Sequence, residues 1–160
     1  DGVDGPVMNR FGEGACFFLL SDEKRDARVA IRDVDMIYKP TSADEVKWKM
    51  QEFISRQQLT MEDIDLLVVG YPGGTDPAGI WKDIVGTYVD SIPIVRYKEG
   101  CGEYKTSSSY GLWLTYEMLL KQKIKSDWTQ NTLPHKKLTN ALILSDYNYS
   151  NLSMMLVSYV

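Results

Sequence analysis

The chain has 160 residues, 44% of them apolar and 25% charged, with a formal net charge of -4. That is enough for one ordinary domain with a real core, and the balance excludes a mainly disordered chain. No cluster of Lys and Arg interleaves with aromatics, which makes nucleic acid a poor partner, and no apolar run nears the ~20 residues of a membrane helix.

Two cysteines, Cys16 and Cys101, do not make a disulfide framework, and no CxxC pair suggests a metal or redox site. With His135 the single histidine, a zinc site built on imidazole is all but excluded, and no cofactor is expected. The first ten residues carry no charged-then-apolar signal pattern, so a cytoplasmic location is the default expectation. Residue 1 is Asp1, which leaves a cleavage product or a piece of a longer chain open.

Taken in order, residues 1–8 read as an extended lead-in. Residues 15–20 (ACFFLL), bounded by Gly14 and Ser21, suit a buried strand with Cys16 as a packing residue. Residues 28–38 form a second strand with an irregularity at Asp33, and the two read as a hairpin. Thr41 or Ser42 caps a helix in which Val46, Met50, Phe53 and Ile54 recur at spacings of three and four. Thr60 and Asp63 resemble a capping box. Residues 65–71 (DLLVVGY) are a continuous apolar run of the kind found in a central strand covered on both faces. A helix is expected over 78–89 and a strand over 92–97, with Pro93 where a missing N–H is tolerable.

The stretch 98–122 reads as a strand end, a glycine-bearing loop, a run of small hydroxyl residues and an apolar helix carrying Leu112, Leu114, Met118 and Leu119 inward. Polar groups thus stand at a helix mouth, where unpaired N–H groups favour anionic or carbonyl ligands. Thr106–Ser109 are expected to cap that helix rather than supply a nucleophile. A polar connection over 124–138, where His135 reads as solvated, leads to two final strands, 141–145 and 152–159. The expected architecture is α/β, a mixed five-stranded sheet flanked by helices in one domain over 1–160.

These segments in this order resemble the C-terminal half of the β-ketoacyl-acyl-carrier-protein synthases. Residues 9–20 (NRFGEGACFFLL) resemble the Gly-Glu-Gly-Ala strand of that family. Residues 59–74 (LTMEDIDLLVVGYPGG) resemble the turn and strand that carry its first catalytic histidine, and Asp76-Pro77 resembles the start of the next helix. Residues 95–109 (VRYKEGCGEYKTSSS) are similar to its Lys-Ser-x-x-Gly-His-x-x-Gly-Ala loop, and residues 141–157 to its closing strand, aromatic turn and last strand.

The resemblance implies a thiolase-like half-fold, with the family's nucleophilic cysteine on the half that this sequence does not include. The first histidine position falls at Gly70 or Tyr71 and the second at Glu103, an acceptor where the family's reaction needs donors. Glu103 is then a repurposed general base or, more simply, a surface or loop carboxylate left by lost catalysis. Lys98 matches the family's lysine, and a structural ion pair explains it equally well. Cys101, near a helix mouth that can depress a thiol pKa, has no histidine to serve as its base. Tyr147 and Asn148 stand where the family has Phe-Gly.

Lys98 and Glu103 are thus the candidate catalytic positions, and Gly70, Tyr71, Cys101, Tyr147 and Asn148 the candidate substrate-binding ones. The implied role is a degenerate synthase acting as a chain-length-factor-like partner in fatty acid or polyketide-type synthesis. Its partners would be a paired synthase subunit or the missing N-terminal half, in a homo- or hetero-oligomer, and an acyl carrier protein or acyl-coenzyme A. The alternatives are the C-terminal part of an active 3-oxoacyl synthase, and a non-catalytic α/β module that binds an acyl or other small ligand.

Overall fold

The computed structural model describes residues 11–23, 26–71, 76, 79–131, 133, 137–147 and 150–160. The expectations for residues 1–10 and 72–74, and for Pro77, His135, Asn148 and Tyr149, lie outside them. Along the chain run β1 (Val29–Tyr38), α1 (Ala43–Ser55), β2 (Leu66–Gly70), α2 (Ile80–Tyr88), β3 (Ile94–Arg96), α3 (Lys98–Cys101), α4 (Ser107–Lys121), β4 (Asn140–Tyr147) and β5 (Asn151–Tyr159). They build one five-stranded sheet in the order β1-β5-β4-β2-β3. β2 runs parallel to β3 and β4, and β5 antiparallel to β4 and β1, so the sheet is mixed as expected.

Side-chain alternation divides the core in two. Leu67 and Val69 of β2, with Leu142 and Leu144 of β4, meet Val46, Met50, Phe53 and Ile54 of α1 and Ile80, Trp81 and Ile84 of α2. Leu66, Val68, Ala141 and Ile143 face the other way, against Leu114, Met118 and Leu119 of α4. The run at 66–70 is apolar throughout because both its faces are covered. Leu112 is only partly buried; the inward stripe of α4 includes Gly111 and Thr115 instead, and the buried Thr115 hydroxyl donates to the Gly111 carbonyl at 2.7 Å.

Local chemistry sets the ends of these elements. Ser42 Oγ accepts the Glu45 N–H at 3.1 Å, and Glu45 in turn accepts the backbone N–H and hydroxyl of Thr41. The Asp63 carboxylate takes the Thr60 N–H at 2.8 Å at the head of a 3-10 turn. Asp65 accepts the N–H groups of Thr139 and Asn140, which fixes the start of β4 beside β2. The irregularity at Asp33 is real: the β1–β5 register shifts between Ile31 and Asp33.

Several expectations fail. Residues 15–20 form no strand, and β1 pairs with β5 at the far end of the chain rather than in a hairpin with them. The cause lies just upstream. The Gly12 N–H donates to the Glu103 carbonyl at 3.1 Å and Phe11 bridges Glu103, so the chain lies along the loop after α3. Only glycine fits there, because a Cβ on Gly12 would run into the Cys101 carbonyl. Beyond it, Phe17 is 94% exposed, Leu19 is fully exposed and Cys16 is only partly covered, so Cys16 is no core residue. Thr106–Ser109 also depart from expectation: Thr106 holds the N-cap position of α4 but makes no side-chain cap bond.

Candidate strand-end site

The carboxyl ends of the three parallel strands β4, β2 and β3 lie side by side, the place where open α/β sheets present ligand-facing groups. Gly70 ends β2, Arg96 ends β3 with Tyr97 and Lys98 directly after it, and Ser145 and Asp146 stand near the end of β4. The four-residue helix α3 then turns the chain back, so that Glu103 returns to Lys98. Lys98 Nζ donates to Glu103 Oε2 at 2.7 Å and to the Asp146 carbonyl at 2.6 Å. Lys98, Glu103 and Asp146 are all buried.

The cluster has more acceptors than donors. The Trp81 indole N–H reaches Asp146 Oδ2 at 3.1 Å, yet Asp146 Oδ1 and Glu103 Oε1 are buried with no hydrogen-bond partner among the described residues. Two carboxyls facing one ammonium leave a negative excess in a poorly solvated place, which is costly. Burial is the main reason the Asp146 carboxyl is pushed above its usual value, against the pull of the Trp81 bond and of Lys98. Burial likewise pushes the Cys101 thiol up to about 11, so Cys101 is a neutral thiol at pH 7 and not the activated one its position suggested.

The chain therefore brings Lys98 and Glu103 together as an ion pair, and Glu103 is an interior carboxylate rather than a surface one. Tyr71 stacks on Trp81 at 5.3 Å between ring centroids and takes the Arg96 guanidinium at 5.0 Å, so neighbours of the same chain already engage its ring. Gly70 is held against Tyr97: a Cβ at Gly70 would come within 2.1 Å of the Tyr97 Cε1 and Cζ atoms, so only glycine fits. Tyr147 is half exposed at the end of β4, and Asn148 lies outside the described residues. Asp146, Trp81, Tyr97 and Ser145 were missed by sequence reasoning. The available signals were a carboxylate ending a strand that is otherwise apolar, and a bulky tyrosine just before Lys98 opposite a glycine strand end.

Among the described residues no group of three or more His, Cys, Asp or Glu could hold a metal, and no helix is long and apolar enough to cross a membrane. An open groove of about 380 Å³ runs between Trp113 and Asp127 along the second half of α4 and shares no residue with the strand-end cluster.

No family model and no curated protein sequence matches the chain. Solved structures do. The oxazolomycin ketosynthase domain OzmH KS8 of Streptomyces albus JA3453 superposes with a TM-score of 0.59 at 12% identity, over 83% of this chain and 45% of its own. Ketosynthase twelve of the bacillaene polyketide synthase in Bacillus amyloliquefaciens gives 0.58 at 14%, over 81% and 30%. AntDE:AntF, a type II polyketide ketosynthase in complex with its acyl carrier protein, gives 0.56 at 14%, over 83% and 37%. The chain thus spans less than half of each of these neighbours, and what it carries is the fold of a ketosynthase half, a thiolase-like mixed sheet flanked by helices.

Proposed function

We propose that this chain is a ketosynthase-like half without condensing activity of its own, which works as the partner of another half-fold and shapes an acyl site there. The observation that carries the reading is Glu103. At the position where the resemblance puts a donor histidine, the chain has a buried carboxylate neutralised by Lys98 and with an orphan oxygen. An enolate oxygen needs donors, and the Trp81 N–H is already taken by Asp146. The uncovered apolar surface supports the partnership. Phe17, Leu19 and Leu20 stand clear of the fold, and Val34, Met36 and Tyr38 of β1 are exposed on the face that α4 covers elsewhere. The acyl carrier protein seen with AntDE suggests the same class of carrier for the assembled complex.

Light scattering of the chain alone and mixed with a purified ketosynthase N-terminal half tests this. The parent associates, and replacing both Phe17 and Leu19 by Asp weakens association at least tenfold while the fold is kept. A monomer that binds no such half sinks the partnership. An assay with malonyl- and acyl-loaded carrier protein should give no β-ketoacyl product from the chain alone. Intact-mass measurement should show no acyl adduct on Cys101, as its raised thiol pKa dictates; a stoichiometric adduct would favour an active acyltransferase instead.

A further inference from the structure

β1 is the outermost strand of the sheet, ten residues long, and among the described residues nothing pairs with its outer side. The opposite edge strand, β3, has a cover, since Thr129 bridges Val95. β1 has none, yet Val34, Met36 and Tyr38 are exposed along it, the combination that invites another strand to add. Its pairing with β5 tells which of its N–H groups point outward. The Lys39 N–H donates to the Ser150 carbonyl at 2.8 Å, and the register runs unbroken from Tyr38–Asn151 to Asp33–Leu156. Donors alternate between the two sides of an antiparallel strand. Ile37 and Asp35 therefore face β5 as Lys39 does, and the N–H groups of Tyr38, Met36 and Val34 face outward.

Two of those three outward donors are occupied. The Val34 N–H donates to Asp33 Oδ1 and the Met36 N–H to Asp35 Oδ1, each at 2.8 Å. Tyr38 is preceded by Ile37, which has no such oxygen. The second oxygen of each carboxylate is turned to Arg56, at the C-terminal end of α1. Arg56 Nη2 donates to Asp35 Oδ2, and Arg56 Nη1 lies 3.7 Å from Asp33 Oδ2. The Arg56 bond, and after it the Met36 N–H, holds the Asp35 carboxyl below its usual value, so it stays an anion and an acceptor. We infer that Asp33, Asp35 and Arg56 form a guard that closes the free edge of β1 to strand addition by a second copy of this chain. The carboxylates take up the donors that an incoming strand needs and set negative charge along its path, and Arg56 keeps both turned to the backbone. Association through Val34, Met36 and Tyr38 is thereby directed to the face of the sheet. The guard does not depend on the ketosynthase-like reading.

Amide exchange, read by NMR on the full chain, gives the first test. After correction for intrinsic rates, the Val34 and Met36 amides should exchange at least tenfold more slowly than that of Tyr38. Asp33→Ala should release Val34 alone and Asp35→Ala Met36 alone, and Arg56→Gln should quicken both at least threefold. Light scattering gives the second, in a Phe17→Asp/Leu19→Asp background that weakens apolar association, so a failed guard and a failed partnership are told apart. There Asp33→Ala/Asp35→Ala should self-associate at a concentration at least tenfold lower than Glu62→Ala/Asp90→Ala. That control removes two exposed acidic residues elsewhere and leaves the same net charge. Isotope-filtered NMR should then show contacts between β1 of one copy and β1 of the next. Three outcomes overturn the inference: Val34 and Met36 exchange as fast as Tyr38 in the parent; the double variant associates no more readily than its charge-matched control; or it associates with no contact between the two β1 strands. If the double variant does not fold, the single variants decide, and release of neither amide, or of both at once, overturns it.

Discussion

Asp146 has one carboxylate oxygen on the Trp81 indole and the other without a donor. Because its folded pKa is raised, its contribution to stability has a definite sign. The protonated form is favoured in the folded chain, so the contribution is present below the ordinary carboxylate value of 3.8 and is lost as pH rises through the folded value. Asp146→Asn keeps an acceptor for Trp81 and removes the charge. Its melting temperature should match or exceed the parent's at pH 7 and gain less at pH 4; thermal melts across that range check it. A variant that is less stable at pH 7 than at pH 4, relative to the parent, contradicts the assignment. Glu103 behaves differently, since it neutralises Lys98 in the interior. Glu103→Ala removes the direct ion-pair partner of the buried Lys98 ammonium and should destabilise by about 3–5 kcal/mol in chemical denaturation.

At the scale of elements, β3 shows how a short edge strand is held. Asn131 accepts the Ile94 N–H at 2.9 Å and donates to the carbonyls of Val89 and Ile92, while Gln130 donates to the Ile94 carbonyl at 2.8 Å. A segment read as a mere polar connection thus covers the edge and staples the end of α2 to β3. Asn131→Ala should cost about 1–3 kcal/mol, and hydrogen exchange should quicken at Ile94 before the rest of the sheet. Elements with their own signal were legible in sequence: α1 from apolar spacings of three and four, β2 from an apolar run too short for a helix. Residues 15–20 were misread because an apolar run says nothing about whether a neighbouring strand is there to pair with it. The site was half legible for a similar reason. Lys98 and Glu103 are five positions apart on one loop, whereas Asp146 and Ser145 reach them only once the parallel pairing of β2 with β4 is known.

For the molecule as a whole, the same α4 face is closed over β2 and β4 and open over β1, where Val34, Met36 and Tyr38 are exposed. A surface of that kind promotes association, and the net charge of -4 is a modest brake on it. Self-association of the lone chain should therefore respond to the Phe17 and Leu19 substitutions, and hardly at all to salt, because the attraction is apolar.

The pairing of Val29 with Tyr159 and of Tyr38 with Asn151 bears on how the chain reaches this state. β1 pairs in the sheet with β5 alone, so it has no place there until β5 has been made. Closing so long a loop is slow, and a nascent chain stalled before residue 151 holds β1 with nothing to bind it. The docking of β1 onto the sheet is thus timed by β5, which has to be in place before it.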